Sequence, residues 1–336
     1  MDEQPAGSAT LAADANARFV EVRRGIEASS GAGNGDLIFK VVAVGAGVTV
    51  LAILALITIS TAWESWPVFQ QQGLSFITSD DWNPNTNQFG ARAFIYGTLL
   101  VSLIALIMAV PVSLGIALFS TEIAPRRMRG SIGYVIDLLA AIPSVVYGLW
   151  GVLVLAPNIA PIYQRISDSV GTWPGFSWFF AGPVSGTSYM TAGVILAFMI
   201  TPIITSLSRE IIHTVPRPQR EAALALGATR WEMIRGAIFP WSRGGITGAV
   251  MLGLGRAMGE TIAVALVIGS SPQITTRVFA SGDAMAGYIA NQFSEASGVF
   301  RSALIALGLV LFVVTIIVNV SAQRIISGFD RRMQRP

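Results

Sequence analysis

The sequence predicts an all-α membrane protein with six transmembrane helices, and three observations carry that expectation. Hydrophobic residues make up 53% of the chain and charged residues only 12%, about half the charge of a soluble domain. Six apolar runs are long enough to cross a bilayer, at about 38–60, 94–119, 132–156, 190–208, 246–269 and 303–320. Basic residues fall almost entirely in alternate connections between those runs, which orients them.

Taken in order, residues 1–36 are rich in Ala, Gly, Ser and charge and read as a disordered tail. The tail is too long and too acidic for the n-region of a secretory signal, so it is expected to stay uncleaved. A membrane domain follows over 37–328. Arg18, Arg23, Arg24 and Lys40 precede or open the first span; Arg126, Arg127 and Arg129 follow the second; Arg209, Arg217, Arg220, Arg230, Arg235 and Arg243 follow the fourth. Arg324, Arg331, Arg332 and Arg335 end the chain, the last three in a basic tail over 329–336. Seventeen Lys and Arg thus lie on one side, against Arg92, Arg165, Arg277 and Arg301 on the other, with Arg256 inside a span. The positive-inside rule puts both termini in the cytoplasm. The net charge of +3 therefore reflects membrane orientation and is no sign of nucleic-acid binding.

The outward segments, 61–93, 157–189 and 270–302, carry Trp63, Trp66, Trp82, Trp173 and Trp178, an aromatic belt at the outer interface and a surface where an external protein could land. Pro111 in the second span, Pro143 with Ser144 in the third and Pro202 in the fourth interrupt helical hydrogen bonding. Freed backbone groups at membrane depth belong beside protein or water, so a gated interior is expected. No internal repeat is evident.

Counting residue types excludes most catalysis. Lys40 is the only lysine and has no Gly-rich loop beside it, so there is no phosphate-cradling nucleotide motif. The chain has no Cys, hence no thiolate metal site, redox pair or cysteine nucleophile. The lone His213 cannot form a two-histidine zinc motif. No catalytic residue, metal site or cofactor of the chain's own is expected.

The segment 221–240, EAALALGATRWEMIRGAIFP, stands apart from the apolar runs. Pro218 suits a first helical turn and Gly227 ends the helix it starts. Thr229 with Glu232 three residues later forms a capping box for a second helix, and Pro240 is expected to close it. Ala222, Ala223 and Leu226 share a face of the first helix; Trp231, Ile234 and Ile238 share one on the second. The plain alternative is an amphipathic connector on the membrane surface.

Three ionisable residues lie inside apolar runs: Asp137, Arg256 and Glu260. Each is costly at a bilayer centre and should face protein or water. Arg256 and Glu260 are four apart, within pairing reach on one helix face. As a structural pair they neutralise each other. As an anion station, the guanidinium offers bidentate hydrogen bonds to an oxyanion, with Glu260 holding it in place. Asp137 is expected to serve interior helix packing. Gly244/Gly248 and Gly255/Gly259 repeat at small-xxx-small spacing, which lets helices meet closely, in ordinary bundle packing or against a second subunit.

The segment 221–240 resembles the EAA loop of bacterial ABC importer permeases: Glu221, Ala222, Ala223, then Gly227, then Pro240 thirteen residues later. Where that pattern has an aliphatic residue and a Leu before the Pro, this chain has Ala237 and Phe239. Over about 70–330 the chain also resembles the PstC-type permease subunits of phosphate-specific ABC importers. The resemblance is carried by WNP at 82–84, FGARAFIYGTLLVSLIALIMAVPVSLGIALF at 89–119, LLAAIPSVVYGLWG at 138–151 and GLGRAMGETIAVALVIG at 253–269. It implies a type I ABC importer permease fold in the inner membrane, with the loop 217–240 docking on an ATPase. It also implies Arg256 and Glu260 as the charged pair on the phosphate path. The implied partners are a PstA-like permease, two PstB-like ATPase subunits that bind ATP and Mg, and an extracytoplasmic PstS-like phosphate-binding protein. A permease for sulfate or another oxyanion, a secondary transporter or channel, and a non-transport signalling subunit remain open on the residues alone. Only the first of these needs both the loop and the charged pair.

Overall fold

The computed structural model describes the backbone of residues 34–333 and the side chains of 35–324. The expected disorder of the tail lies, for 1–33, outside the described residues. The chain divides into two compact units, Met1–Ser60 and Thr61–Pro336. Helix α1, Asn34–Gln72, has no buried residue in its most apolar stretch.

In the second unit the end of α1 contributes the buried Ser65 and Val68. A one-turn helix, Ser75–Thr78, leads to a small antiparallel hairpin, β1 (Trp82–Asn83) with β2 (Gln88–Phe89), Trp82 opposite Phe89. That hairpin aside, the described elements are helical, as expected. The hairpin also moves Trp82 off the expected belt. Its ring meets Phe94, Phe89 and Tyr288 edge-on, with centroids 4.9, 5.1 and 5.4 Å away, inside a cluster with Phe76, Met285 and Leu307. Trp63, Trp66, Trp173 and Trp178 stay exposed.

Helix α2 spans Arg92–Leu118 and ends in a π-turn, Phe119–Ile123. Every fourth residue from Gly97 through Val101, Ala105, Ala109, Ser113 and Ala117 is buried, a stripe of mostly small side chains at helical spacing. Next come α3 (Arg126–Ala140) and α4 (Ser144–Trp150). A π-turn (Gly151–Leu155), α5 (Ala156–Ser169) and α6 (Tyr189–His213) follow. The α2 stripe packs chiefly on α6, which starts at Ser188, whose hydroxyl accepts from the Thr191 N–H at 3.3 Å. Both helices run unbroken through their prolines, Pro111 and Pro202. Nearby, the Ser113 hydroxyl donates to the Thr201 carbonyl at 3.1 Å and the Thr205 hydroxyl to the Ser113 carbonyl at 3.5 Å. Hydroxyls of this kind satisfy backbone groups at membrane depth.

The expected single span at 132–156 is two helices. Pro143 sits in extended backbone (ψ 140) just before α4, and its ring cannot continue a helix from α3. The apolar crossing is instead Ser144–Thr172. Asp137 consequently does not pack in a span interior. It lies on an exposed face of α3 and accepts from the Ser206 hydroxyl at 3.5 Å.

The chain continues through α7 (Arg217–Ala225), α8 (Arg230–Met233), a π-turn (Ile234–Ile238), α9 (Phe239–Met258) and α10 (Ile262–Val267). A long loop, α11 (Met285–Gln292) and α12 (Gly298–Met333) complete it. The run 246–269 is thus not one helix either. Among the described residues five helical stretches are long and apolar enough to cross a membrane: Gly35–Gln72, Arg92–Ile123, Ser144–Thr172, Tyr189–His213 and Gly298–Arg324. Helix α12 runs past the boundary expected at 328, and residues 334–336 lie outside the described ones. In the loop before α11 Asp283 is buried, and loss of water pushes its carboxyl up to about 7.

Candidate coupling loop and anion site

The loop 217–240 is built by local rules. Pro218 sits in the first turn of α7, where a missing N–H costs nothing. At the other end Gly227 takes φ +82. The Ala228 N–H donates to the Ala223 carbonyl at 3.2 Å and the Gly227 N–H to the Leu224 carbonyl at 3.0 Å, a Schellman closure. Thr229 then caps α8: its hydroxyl accepts from the Glu232 N–H at 3.3 Å, and the Glu232 carboxylate accepts from the Thr229 N–H at 2.7 Å. That last bond, with a second from the Thr229 hydroxyl to the same carboxylate at 2.8 Å, holds the Glu232 carboxyl below its ordinary range.

Two expectations for this loop are corrected. Pro240 does not close the second helix; it lies in the first turn of α9, directly after the π-turn, and the helix continues. The π-turn, in which the Phe239 N–H reaches back to the Ile234 carbonyl, takes up the register change that a proline demands. Trp231 does not share the buried face of Ile234 and Ile238; it is 63% exposed, and Met233 takes that place.

The inner face of the loop seats on the ends of α2 and α6. Met233, Ile234 and Ile238 pack with Ala117, Ile212 and Val215, and Ala223 lies against them. Arg220 adds a polar tie that sequence reasoning missed. Its guanidinium meets the Glu122 carboxylate at 2.9 Å and donates to the Ile212 carbonyl at 2.5 Å. The outward face is apolar and open: Glu221, Ala222 and Ala225 are exposed, Leu226 is 89% exposed, and Leu224 is exposed as well.

The charged pair is arranged differently from the expectation. Helix α9 ends at Met258 and Gly259 is its C-cap. Glu260 falls in the break, where its carboxylate accepts from the Ala263 N–H at 3.3 Å and so caps α10. Arg256 is exposed on α9, and no ion pair joins it to Glu260 among the described residues. Because the helix stops between the two, the four-residue spacing no longer places them on one face. Both line a cavity of about 570 Å³ together with Ile203, Met251, Leu252, Gly255, Gly259 and Asn319. Asn319, on α12, was not anticipated; an amide inside the apolar run 303–320 was the available signal. On α9, Gly245 and Gly253 pack on Ile211 and Ile204 of α6, whereas a Cβ on Gly244 or Gly248 meets nothing within 4 Å among the described residues.

Residues 109–335 match the family described as binding-protein-dependent transport system inner membrane component. The phosphate transport system permease protein PstC of Mesorhizobium japonicum is 44% identical over 88% of this chain and 91% of its own length. The corresponding protein of Pasteurella multocida is 40% identical over 89% and 94%. This chain belongs to the PstC permease family. A mycobacterial family member, PstC 2 of Mycobacterium tuberculosis, is 41% identical over 88% of the chain and 92% of its own length.

Among solved structures, a chain of a bacterial alginate ABC transporter complexed with a pentasaccharide-bound periplasmic protein matches with a TM-score of 0.56. It is 18% identical, over 89% of this chain and 97% of that one. The likeness gives the fold alone, the type I ABC importer permease fold. A PstC-family chain is accordingly a multi-pass inner-membrane permease subunit, and the helices described above supply the crossings.

Proposed function

We propose that this chain forms, with a PstA-like permease, the pore of an importer that moves inorganic phosphate into the cytoplasm. Two PstB-like subunits binding ATP and Mg drive it, and a PstS-like protein delivers phosphate from outside. Both termini and the loop 217–240 lie in the cytoplasm, in keeping with the distribution of basic residues. The curated relatives named for phosphate transport support the substrate. The open face of Gly244 and Gly248 suits a second permease subunit at close approach.

The observation that carries the reading is an exposed Arg256 that pairs with no carboxylate among the described residues, lining one cavity with Glu260. A charge at membrane depth costs about 2.5–3.5 kcal/mol on insertion scales. A passing phosphate offsets that cost, accepting the guanidinium fork in two parallel hydrogen bonds. Glu260 is fixed by its cap bond to α10 and sets a negative charge beside the station, so the anion is released instead of trapped. Glu221, Ala222 and Gly227 present the docking face to the ATPase, Ala223 on the inner side seats that face on the pore helices, and Pro240 carries the helix on toward Arg256, so that loop and station lie on one run of helix.

The test is uptake of labelled phosphate and sulfate by the complex reconstituted in proteoliposomes, with Arg256 and Glu260 exchanged. The wild type should import phosphate. The Arg256→Glu, Glu260→Arg protein should assemble and fail to import, because exchange puts a carboxylate where the anion must bind. Import by the exchanged protein at the wild-type rate would refute the anion station, and wild-type import of sulfate in place of phosphate would refute the substrate.

A further inference from the structure

Asn319 is a primary amide in a crossing helix whose most apolar stretch has a mean hydropathy of 2.9. Its Oδ1 is buried and accepts no hydrogen bond, while its Nδ2 lies 4.0 Å from where a Cβ on Gly255 would stand. The amide thus lies beside α9 at Gly255, one residue from Arg256. Asn319 lines the same cavity as Arg256 and Glu260. A buried acceptor left unpaired is costly, and the protein could have placed an apolar residue there at no such cost.

We propose that Asn319 is the third polar member of the anion station and binds the substrate directly. This rests on the reading of Arg256 as the cationic member. The three residues offer complementary chemistry. Arg256 only donates, Glu260 as a carboxylate only accepts, and the Asn319 amide does both. Inorganic phosphate at neutral pH presents the same mixture, ionised oxygens that accept and a P–OH that donates. The Asn319 Oδ1 accepts the P–OH proton while its NH₂ donates to an ionised oxygen. Sulfate, which presents acceptors alone, leaves the Oδ1 unpaired, and a polar site built for a donor discriminates against ligands that lack one. The ligand class is thus a tetrahedral oxyanion that still carries a proton.

The test uses the complete importer in proteoliposomes with phosphate-loaded binding protein, measuring phosphate moved per ATP hydrolysed. Asn319→Leu keeps the heavy-atom count and the branching at Cγ and suits an apolar helix. It should assemble and retain binding-protein-stimulated ATP hydrolysis, yet move roughly tenfold less phosphate per ATP, the scale of one lost hydrogen bond to a charged group. Asn319→Gln, which keeps the amide one methylene further out, should recover part of that loss. Asn319→Asp, which keeps an acceptor but adds negative charge, should recover none. An unchanged ratio of phosphate to ATP in the Leu variant would overturn the proposal. So would an equal fall in assembly, ATP hydrolysis and transport across all three variants, which is the pattern of a packing residue. Arg256→Ala in the same assay separates the two layers. If it too leaves transport intact, the station itself is wrong; if it abolishes transport while Asn319→Leu does not, only the role of Asn319 falls.

Discussion

Two breaks in this chain use nearly the same residues and reach opposite results. At 226–229 the sequence is Leu-Gly-Ala-Thr and at 258–261 it is Met-Gly-Glu-Thr, each joining one helix to the next. At the first, Gly227 turns to φ +82 and Thr229 lies extended, with ψ 163, so that its hydroxyl caps the following helix. At the second, Gly259 stays at φ −89 and Thr261 keeps helical ψ, its hydroxyl donating back to the Gly259 carbonyl at 3.2 Å and capping nothing. Glu260 supplies the cap instead. The first break satisfies its polar groups with its own atoms. The second leaves a guanidinium without a carboxylate and an amide oxygen without a donor around a cavity, and that deficit is what a polar substrate can fill.

The comparison breaks most sharply at Glu260, which has two separable duties. Glu260→Gln keeps an acceptor for the Ala263 N–H and removes the charge; Glu260→Ala removes both. If the charge tunes the anion station, both variants should lose most phosphate import while the Gln variant keeps normal assembly. Should Glu260→Gln import at the wild-type rate with only the Ala variant failing, Glu260 is a helix cap and the second break resembles the first.

A smaller effect is expected where the loop meets the pore helices. Arg220 and Glu122 are 21% and 9% exposed and pair at 2.9 Å, linking α7 to the end of α2. Removing one partner of a pair this shielded costs up to about 3–5 kcal/mol when fully buried, less here at the wetter Arg220. Arg220→Met should therefore lower the melting temperature of the complex and reduce transport per ATP. Adding Glu122→Leu should restore much of the stability, since an apolar pair of similar volume is close to neutral. If transport per ATP returns as well, the pair is a structural tie only; if it stays low, the ion pair carries motion from loop to pore.

How much was legible follows from range. The loop was readable because each of its bonds spans a few residues: Pro218 in a first turn, Gly227 at a helix end and Thr229 with Glu232 are signals that local sequence contains. The hydrophobic runs gave the class of fold and most crossings for the same reason. What failed depended on distance or on strain resolved elsewhere. Trp82 looked like a belt residue until the hairpin brought it to Tyr288, and Asp137 looked interior until Pro143 split its span. Pro240 looked like a stop until the π-turn before it took up the register change. Asn319 gave no sign of lying beside Gly255, because the contact joins α9 to α12 across the fold.

The mildest expected effect tests whether the first break works by backbone or by space. A Cβ built on Gly227 meets nothing within 4 Å, so within this chain a larger side chain is resisted by φ and not by lack of space. At φ +82 a residue with a Cβ costs roughly 1–2 kcal/mol, and Asn tolerates that region better than most. If backbone decides, Gly227→Asn should co-purify with the ATPase and transport nearly as well as the wild type, with Gly227→Ala and Gly227→Leu similarly impaired. If the ATPase presses on this glycine, impairment should instead follow size, with Ala mildest and Leu worst. Co-purification and transport of the three variants distinguish the two orders. A size order would mean that the first break, too, is completed by a partner, and the contrast with Gly259 would shrink to which partner completes it.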